Sequence, residues 1–148
     1  MSRFAARGLA AGIAALALSA QLAFAEPAAK VAIHVDEENV STMNMALNNA
    51  ANIAKHYADL GQEVVIEIVT YGPGLHMLRE DTSPVKDRIE TMALEMDNIT
   101  FSACLNTVQA MQQQMQSDVP LIAEATVVPS GAVRLMELQA EGYAYLRP

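Results

Sequence analysis

The chain has 148 residues, the length of one domain, and its 52% hydrophobic content is ample for a single core. Nine Lys+Arg against 17 Asp+Glu give a net charge of −8, and no basic cluster occurs, which excludes nucleic acid and anionic lipid as natural partners. A single cysteine, Cys104, excludes an internal disulfide.

The chain opens on an address. Arg3 and Arg7 precede an apolar run from Gly8 to Leu18, and Ala23-Phe24-Ala25 closes it. A positive start, a short apolar middle and an Ala-x-Ala end make a secretory signal peptide. The run is shorter than the roughly 20 residues that span a bilayer. No cysteine stands near the cleavage point for a lipid anchor, and the two arginines are not adjacent as a twin-arginine signal needs. The expected organisation is therefore a signal peptide over 1–25 and one domain over 26–148, exported to a bacterial periplasm, with no later membrane span. Loss of the leader removes two basic residues and no acid, so the mature chain carries a net −10. The acidity serves solubility.

After a linker around Glu26-Pro27, Val31–Asp36 reads as a first strand, apolar on both faces as a strand covered on both sides should be. Asp36–Asn39 is a polar loop. Ser41 is the expected cap of a helix that runs to about Leu60, with Met43, Ala46, Leu47, Ala50, Ile53, Ala54 and Tyr57 at helical spacing and Gly61 as its stop. Val64–Val69 is the clearest strand. Glu67 interrupts it and must be paired, exposed at an edge or placed in a subunit contact. Tyr71-Gly72-Pro73-Gly74 reads as a tight loop leading into a short turn or helix at Leu75–Leu78. Ser83-Pro84 predicts a helix start, followed by Val85, Ile89, Met92 and Met96 on one face.

Ile99–Cys104 reads as a third strand that turns directly into a helix carrying Leu105, Val108, Met111 and Met115. A loop from Ser117 to Glu124 leads to a short strand, Ala125–Val128. Pro129-Ser130-Gly131 starts a last helix, Gly142 ends it, and Tyr143–Leu146 is a fifth strand. Strands alternating with helices predict an α/β fold with a parallel sheet and helices on both faces.

In such a sheet the strand-to-helix loops share one edge, where ligands bind. The expected edge gathers the Asp36–Asn39 loop, Gly72, Gly74 and His76, Cys104 with Asn106 and Thr107, and Pro129-Ser130-Gly131, with His34 at the end of the first strand. Cys104 stands out because a helix start offers free N–H groups and a partial positive charge that favour thiolate over thiol. A lone cysteine in an oxidising compartment is a buried inert side chain, an intermolecular partner or a free reactive thiol, and the junction position favours the reactive reading.

Other chemistries find less support. Gly-Pro-Gly is common turn punctuation, and neither GxGxxG nor GxxxxGK[ST] occurs, so no nucleotide site is read. Pro-Ser-Gly before a helix is a candidate anion site or simply a helix start. His34, His76, Cys104 and eight methionines in the mature chain raise copper, but no HxxxH, CxxC or methionine tract has ligand spacing. No metal and no cofactor is expected. A hydrolase needs a base held beside its nucleophile, and no GxSxG occurs.

At several of these residues the chain resembles the DsrE/DsrF-like family of small sulfur-relay proteins, in a single-cysteine exported branch. The resemblance spans about Lys30 to Pro148. It rests on the first strand with His34, Asn48, Tyr71-Gly72-Pro73-Gly74, Phe101–Thr107 around Cys104, Val127–Gly131 and the tail Leu138–Tyr145. It implies a three-layer α/β/α sandwich on a five-stranded, mainly parallel sheet, assembly into homotrimers, hexamers or hetero-oligomers, and sulfur carried as a persulfide at the position of Cys104. The expected function is thus a periplasmic sulfur carrier or sulfurtransferase-like protein, with Cys104 as reactive residue, a donor or acceptor protein as partner, and His34, Gly72, Gly74, His76, Asn106, Thr107 and Ser130 around the sulfur. The alternatives are a non-catalytic small-ligand or metal-binding module, or an oligomeric scaffold with an inert buried cysteine.

Overall fold

The structure is a computed structural model and describes residues 28–148. The signal peptide expected over 1–25 lies outside the described residues. Five strands, β1 (Ala29–Val35), β2 (Val64–Thr70), β3 (Ile99–Cys104), β4 (Ala125–Val128) and β5 (Ala144–Leu146), alternate with α1 (Val40–Asp59), α2 (Lys86–Glu95), α3 (Leu105–Met115) and α4 (Gly131–Ala140). A 3-10 helix over Gly72–Leu78 lies between β2 and α2. All strand pairs are parallel, in the order β4-β3-β2-β1-β5. No helix of the described residues is long and apolar enough to cross a membrane.

This strand order fixes where the helices go. β1 to β4 advance in one direction, so their right-handed crossovers carry α1, α2 and α3 over one face. β5 lies back beyond β1, and the crossover from β4 therefore takes α4 over the opposite face. The packing agrees. Met43, Leu47, Ile89 and Val108 join Ile33, Val35, Ile66, Ile68 and Phe101 in one large core. On the other face only Leu135 and Leu138 of α4 meet Ala32 and Val69, with Tyr71 and Tyr143 at the margin. The fold is a three-layer α/β/α sandwich whose two outer layers are unequal.

Several local expectations shift. Asn39, not Ser41, caps α1, its Oδ1 accepting from the N–H groups of Ser41 (2.8 Å) and Thr42 (3.1 Å). Ser83-Pro84 does not open α2, because the Ser83 hydroxyl is spent on the Met77 carbonyl (2.6 Å) and on Val85 N–H (3.3 Å), and the helix starts at Lys86. The Gly72-Pro73-Gly74 loop is itself the first turn of the 3-10 helix. Glu67 is paired: it accepts from Ser102 Oγ at 2.6 Å and from Arg134 of α4 at 2.8 and 2.7 Å.

Candidate functional site

The adjacent strands β3 and β4 send their helices to opposite faces. Their carboxyl ends therefore part and leave a crevice, the position where open α/β sheets take ligands. Cys104, the last residue of β3 and the cap residue of α3, stands in it. From one side come the first N–H groups of α3, at Asn106 and Thr107. From the other comes Gly131, the first residue of α4.

The Cys104 side chain points to the face that carries Thr100, Ser102 and α4, and the residue is only 4% exposed. Burial pushes its thiol up. The Thr107 hydroxyl, together with the N–H groups of Gly131, Thr107 and Asn106, outweighs this and holds the thiol below its ordinary value. No side-chain cap bond is formed by Cys104, so these groups act on the sulfur as oriented dipoles. The Thr107 hydroxyl is fixed for this task. Its Oγ1 accepts from Gly72 N–H at 3.0 Å, which leaves its own proton to donate.

Gly131 is required by space as well as by its amide. A Cβ there would stand 2.9 Å from the Tyr71 ring and 3.3 Å from Cys104 Cβ. Tyr71 and Cys104 thus both pack against Gly131. Burial raises the Tyr71 hydroxyl first, and the charges of Asp36, Tyr145 and Cys104 add to this.

His34 lies behind Tyr71. The two rings stack with centroids 4.6 Å apart. His34 Nδ1 meets the Tyr145 hydroxyl at 2.7 Å, while its buried Nε2 has no hydrogen-bond partner. Asp36 Oδ2 is 3.9 Å from Nε2. Burial lowers the imidazole and outweighs that carboxylate, so the ring is neutral and the contact is not an ion pair. Asp36 instead holds Arg147 at 3.0 and 3.1 Å, which ties the tail of the chain to the loop after β1.

The remaining expected residues divide. Gly72, Asn106 and Thr107 lie at Cys104. Ser130 caps α4, its Oγ accepting from Val133 N–H at 3.5 Å, beside a cavity of about 600 Å³ between α4 and the uncovered part of the sheet. Gly74 serves packing: a Cβ there would sit 2.2 Å from the Val35 carbonyl oxygen. His76 turns away from the sulfur, to Thr82 Oγ1 at 2.8 Å, and lines a second cavity of about 450 Å³ that Asn106 and Thr107 share. Cys104 lines neither cavity and lies between them. Among the described residues no three His, Cys, Asp or Glu side chains come together as a metal-holding group.

Sequence reasoning placed Asp36 and Gly131 on the edge of Cys104 but missed Tyr71, Tyr145 and Arg147 as neighbours of the site. The Pro-Ser-Gly helix start was a usable signal for Gly131, because a helix N-terminus presents free N–H groups wherever it points. Nothing in the sequence joins the tail to β1, since the pairing of β5 with β1 spans the whole domain.

Comparison with known proteins follows the same outline. A family model, that of the DsrE/DsrF-like family, matches residues 29–148. No curated protein matches. Among solved structures, the chain is similar to a protein of unknown function, MTH1491 from Methanobacterium thermoautotrophicum. That likeness has 33% identity and a TM-score of 0.66, and covers 81% of this chain and 99% of the other.

Proposed function

The chain belongs to the DsrE/DsrF-like family, and on that premise we propose that it is an exported sulfur carrier that holds sulfane sulfur as a persulfide on Cys104. The observation that carries this reading is the surround of the sulfur. Two helix starts and one hydroxyl hold the Cys104 thiol below its ordinary value although the residue is buried. A lowered thiol gives more of the attacking thiolate at neutral pH. The same N–H groups suit the anion of a persulfide. The leader over 1–25 supports a periplasmic setting. A homotrimer or hexamer and a donor or acceptor protein complete the reading.

Intact mass of the reduced protein after exposure to inorganic polysulfide tests it. One added sulfur, removed by reductant and absent from Cys104→Ser, is the expected result. Native protein that gains no sulfur, or gains it equally in Cys104→Ser, overturns the reading.

The scaffold reading rests on one separate observation, that α4 alone covers its face of the sheet. It predicts a thiol that reacts slowly when folded and fast when unfolded.

A further inference from the structure

Arg79 is the one arginine among the described residues that is almost wholly buried, at 2% exposure. Its guanidinium is unevenly served. Asp81 takes Nε at 2.9 Å and Nη2 at 2.6 Å, while Nη1 donates only to the thioether sulfur of Met115, at 3.5 Å. A thioether is a weak acceptor, so one arm of a buried cation is left with a poor partner. Met115 is the last residue of α3 and is 46% exposed. The turn after it is strained, because Gln116 is the only non-glycine residue of the described chain in the left-handed region, at φ 52°. Beyond Gln116 the chain returns to the flanks of Arg79. Glu80 N–H donates to the Pro120 carbonyl at 2.9 Å, and Ile122 N–H to the Leu78 carbonyl at 3.0 Å. The Arg79–Met115 contact thus closes the connection from α3 to β4.

We propose that Met115 is a reversible oxidation site whose sulfoxide is received by Arg79. The half-exposed side chain is open to small hydroperoxides. The thioether sulfur attacks the outer oxygen of R–O–OH, the O–O bond breaks, an S–O bond forms, and the proton leaves with R–OH. The sulfur loses two electrons and the hydroperoxide gains them. The new oxygen is a strong acceptor, so a charge-assisted bond from Nη1 replaces a weak N–H···S contact. Methionine is unbranched and can draw back by the length that the added atom needs. Met45 of α1 is the internal contrast. It is also 46% exposed, but no guanidinium or ammonium bonds its sulfur among the described residues, so its oxidation gains no partner. A reductase that spends two thiols on the sulfoxide restores the thioether, with a disulfide and water as products. The connection from α3 to β4 therefore tightens under peroxide and relaxes under thiol.

The test uses the full chain carrying Cys104→Ser and Met136→Leu, which remove the thiol and a 71% exposed methionine. To this is added either Met45→Leu or Met115→Leu, so that one half-exposed methionine of the pair remains. Each protein is treated with hydrogen peroxide, the site of oxygen gain is read by peptide mass, and the thermal midpoint is measured before and after. The expected result is one oxygen on Met115, removed by methionine sulfoxide reductase with thiol, and a midpoint raised by roughly 2–5 °C. Oxidation of Met45 in the sister protein leaves the midpoint unchanged or lowers it. Arg79→Lys keeps the charge, lacks Nη1 and abolishes the rise. That variant also loses the fork to Asp81, so a second pair decides the matter if it does not fold. Met115→Gln places an amide oxygen on a side chain of nearly the same length and should melt above Met115→Leu. Failure of Met115 to gain oxygen, a midpoint that does not rise, or an equal rise from Met45 overturns the proposal. So does a rise that persists in folded Arg79→Lys, or Met115→Gln melting at or below Met115→Leu.

Discussion

At Cys104 burial and the surrounding N–H and O–H dipoles pull the thiol in opposite directions, and the dipoles win. Removing one donor should let burial gain ground. Thr107→Val loses the hydroxyl that faces the sulfur and strands Gly72 N–H. Its alkylation rate against pH should inflect closer to the ordinary thiol value of about 8.5, with the rate at pH 7 lowered roughly threefold to tenfold. The linkage has a definite sign. A thiol held low in the folded state adds stability that is full above its unfolded value and lost as pH falls through its folded value. Urea titrations should therefore show the native protein gaining on Cys104→Ser as pH rises through that window. His34 acts at the acid end. Its ring is lowered by burial, so the unfolded chain binds the proton more readily and stability falls as pH drops below about 6.5. His34→Gln should flatten that limb of the stability curve, read by the urea midpoint at successive pH values. The cysteine and its helix start were legible in the sequence because they are contiguous. Gly131, 27 positions on, was legible as a helix start on the same sheet edge, but not as a contact of Cys104, since their meeting depends on which strand lies beside β3.

The elements that place the site are held by two contacts with very different chemistry. Gly74 lets the 3-10 helix lie against the end of β1 with no side chain between them. In Gly74→Ala the new carbon would meet backbone at 2.2 Å, so β1 and the 3-10 helix must separate. The expected loss is about 2–3 kcal/mol in a urea titration, in the range of overpacked cores. The second contact is the Glu67–Arg134 pair, which ties α4 to β2 with Ser102 as a third member. Glu67 is buried, so Arg134→Met leaves an uncompensated carboxylate and should cost roughly 3–5 kcal/mol, whereas Glu67→Leu combined with Arg134→Met should recover most of it. The recovery in that double-mutant cycle is the decisive reading. Strands rich in Val and Ile announced β1 to β3, and the helical stripes announced α1 to α4. The side of the sheet each helix takes was not legible, because α3 and α4 have similar apolar stripes and only the strand order sends them apart. The sequence therefore showed Glu67 as a charge that must be paired, exposed at an edge or placed in a subunit contact, but could not show that its partner would come from α4.

At the scale of the molecule the unequal layers matter most. Three helices cover one face of the sheet and one covers the other, so Val65, Thr100 and Thr126 line an open cavity beside α4. Beside it, on α4, Val133 is 50% exposed and Met136 is 71% exposed. Parallel sheets are ordinarily covered on both faces, and an apolar rim around an uncovered one is the expected sign of association. The proposed occupant is further copies of the same chain, in the trimer or hexamer that the family resemblance implies. The charge of the chain sets the conditions of assembly. Copies that each carry a net −8 repel one another, and salt screens that repulsion while leaving apolar burial intact. Sedimentation should therefore show the assembled fraction rising with ionic strength, opposite to the behaviour of a charge-paired interface. Val133→Asp with Met136→Asp places two charges beside this cavity, and should give monomers at concentrations on the order of tens of micromolar, where the native protein is expected to assemble. Neither side chain belongs to a buried cluster, so the double variant should keep the far-ultraviolet spectrum and thermal midpoint of a folded monomer. A native protein that sediments as a monomer at every salt concentration would leave this face to another partner.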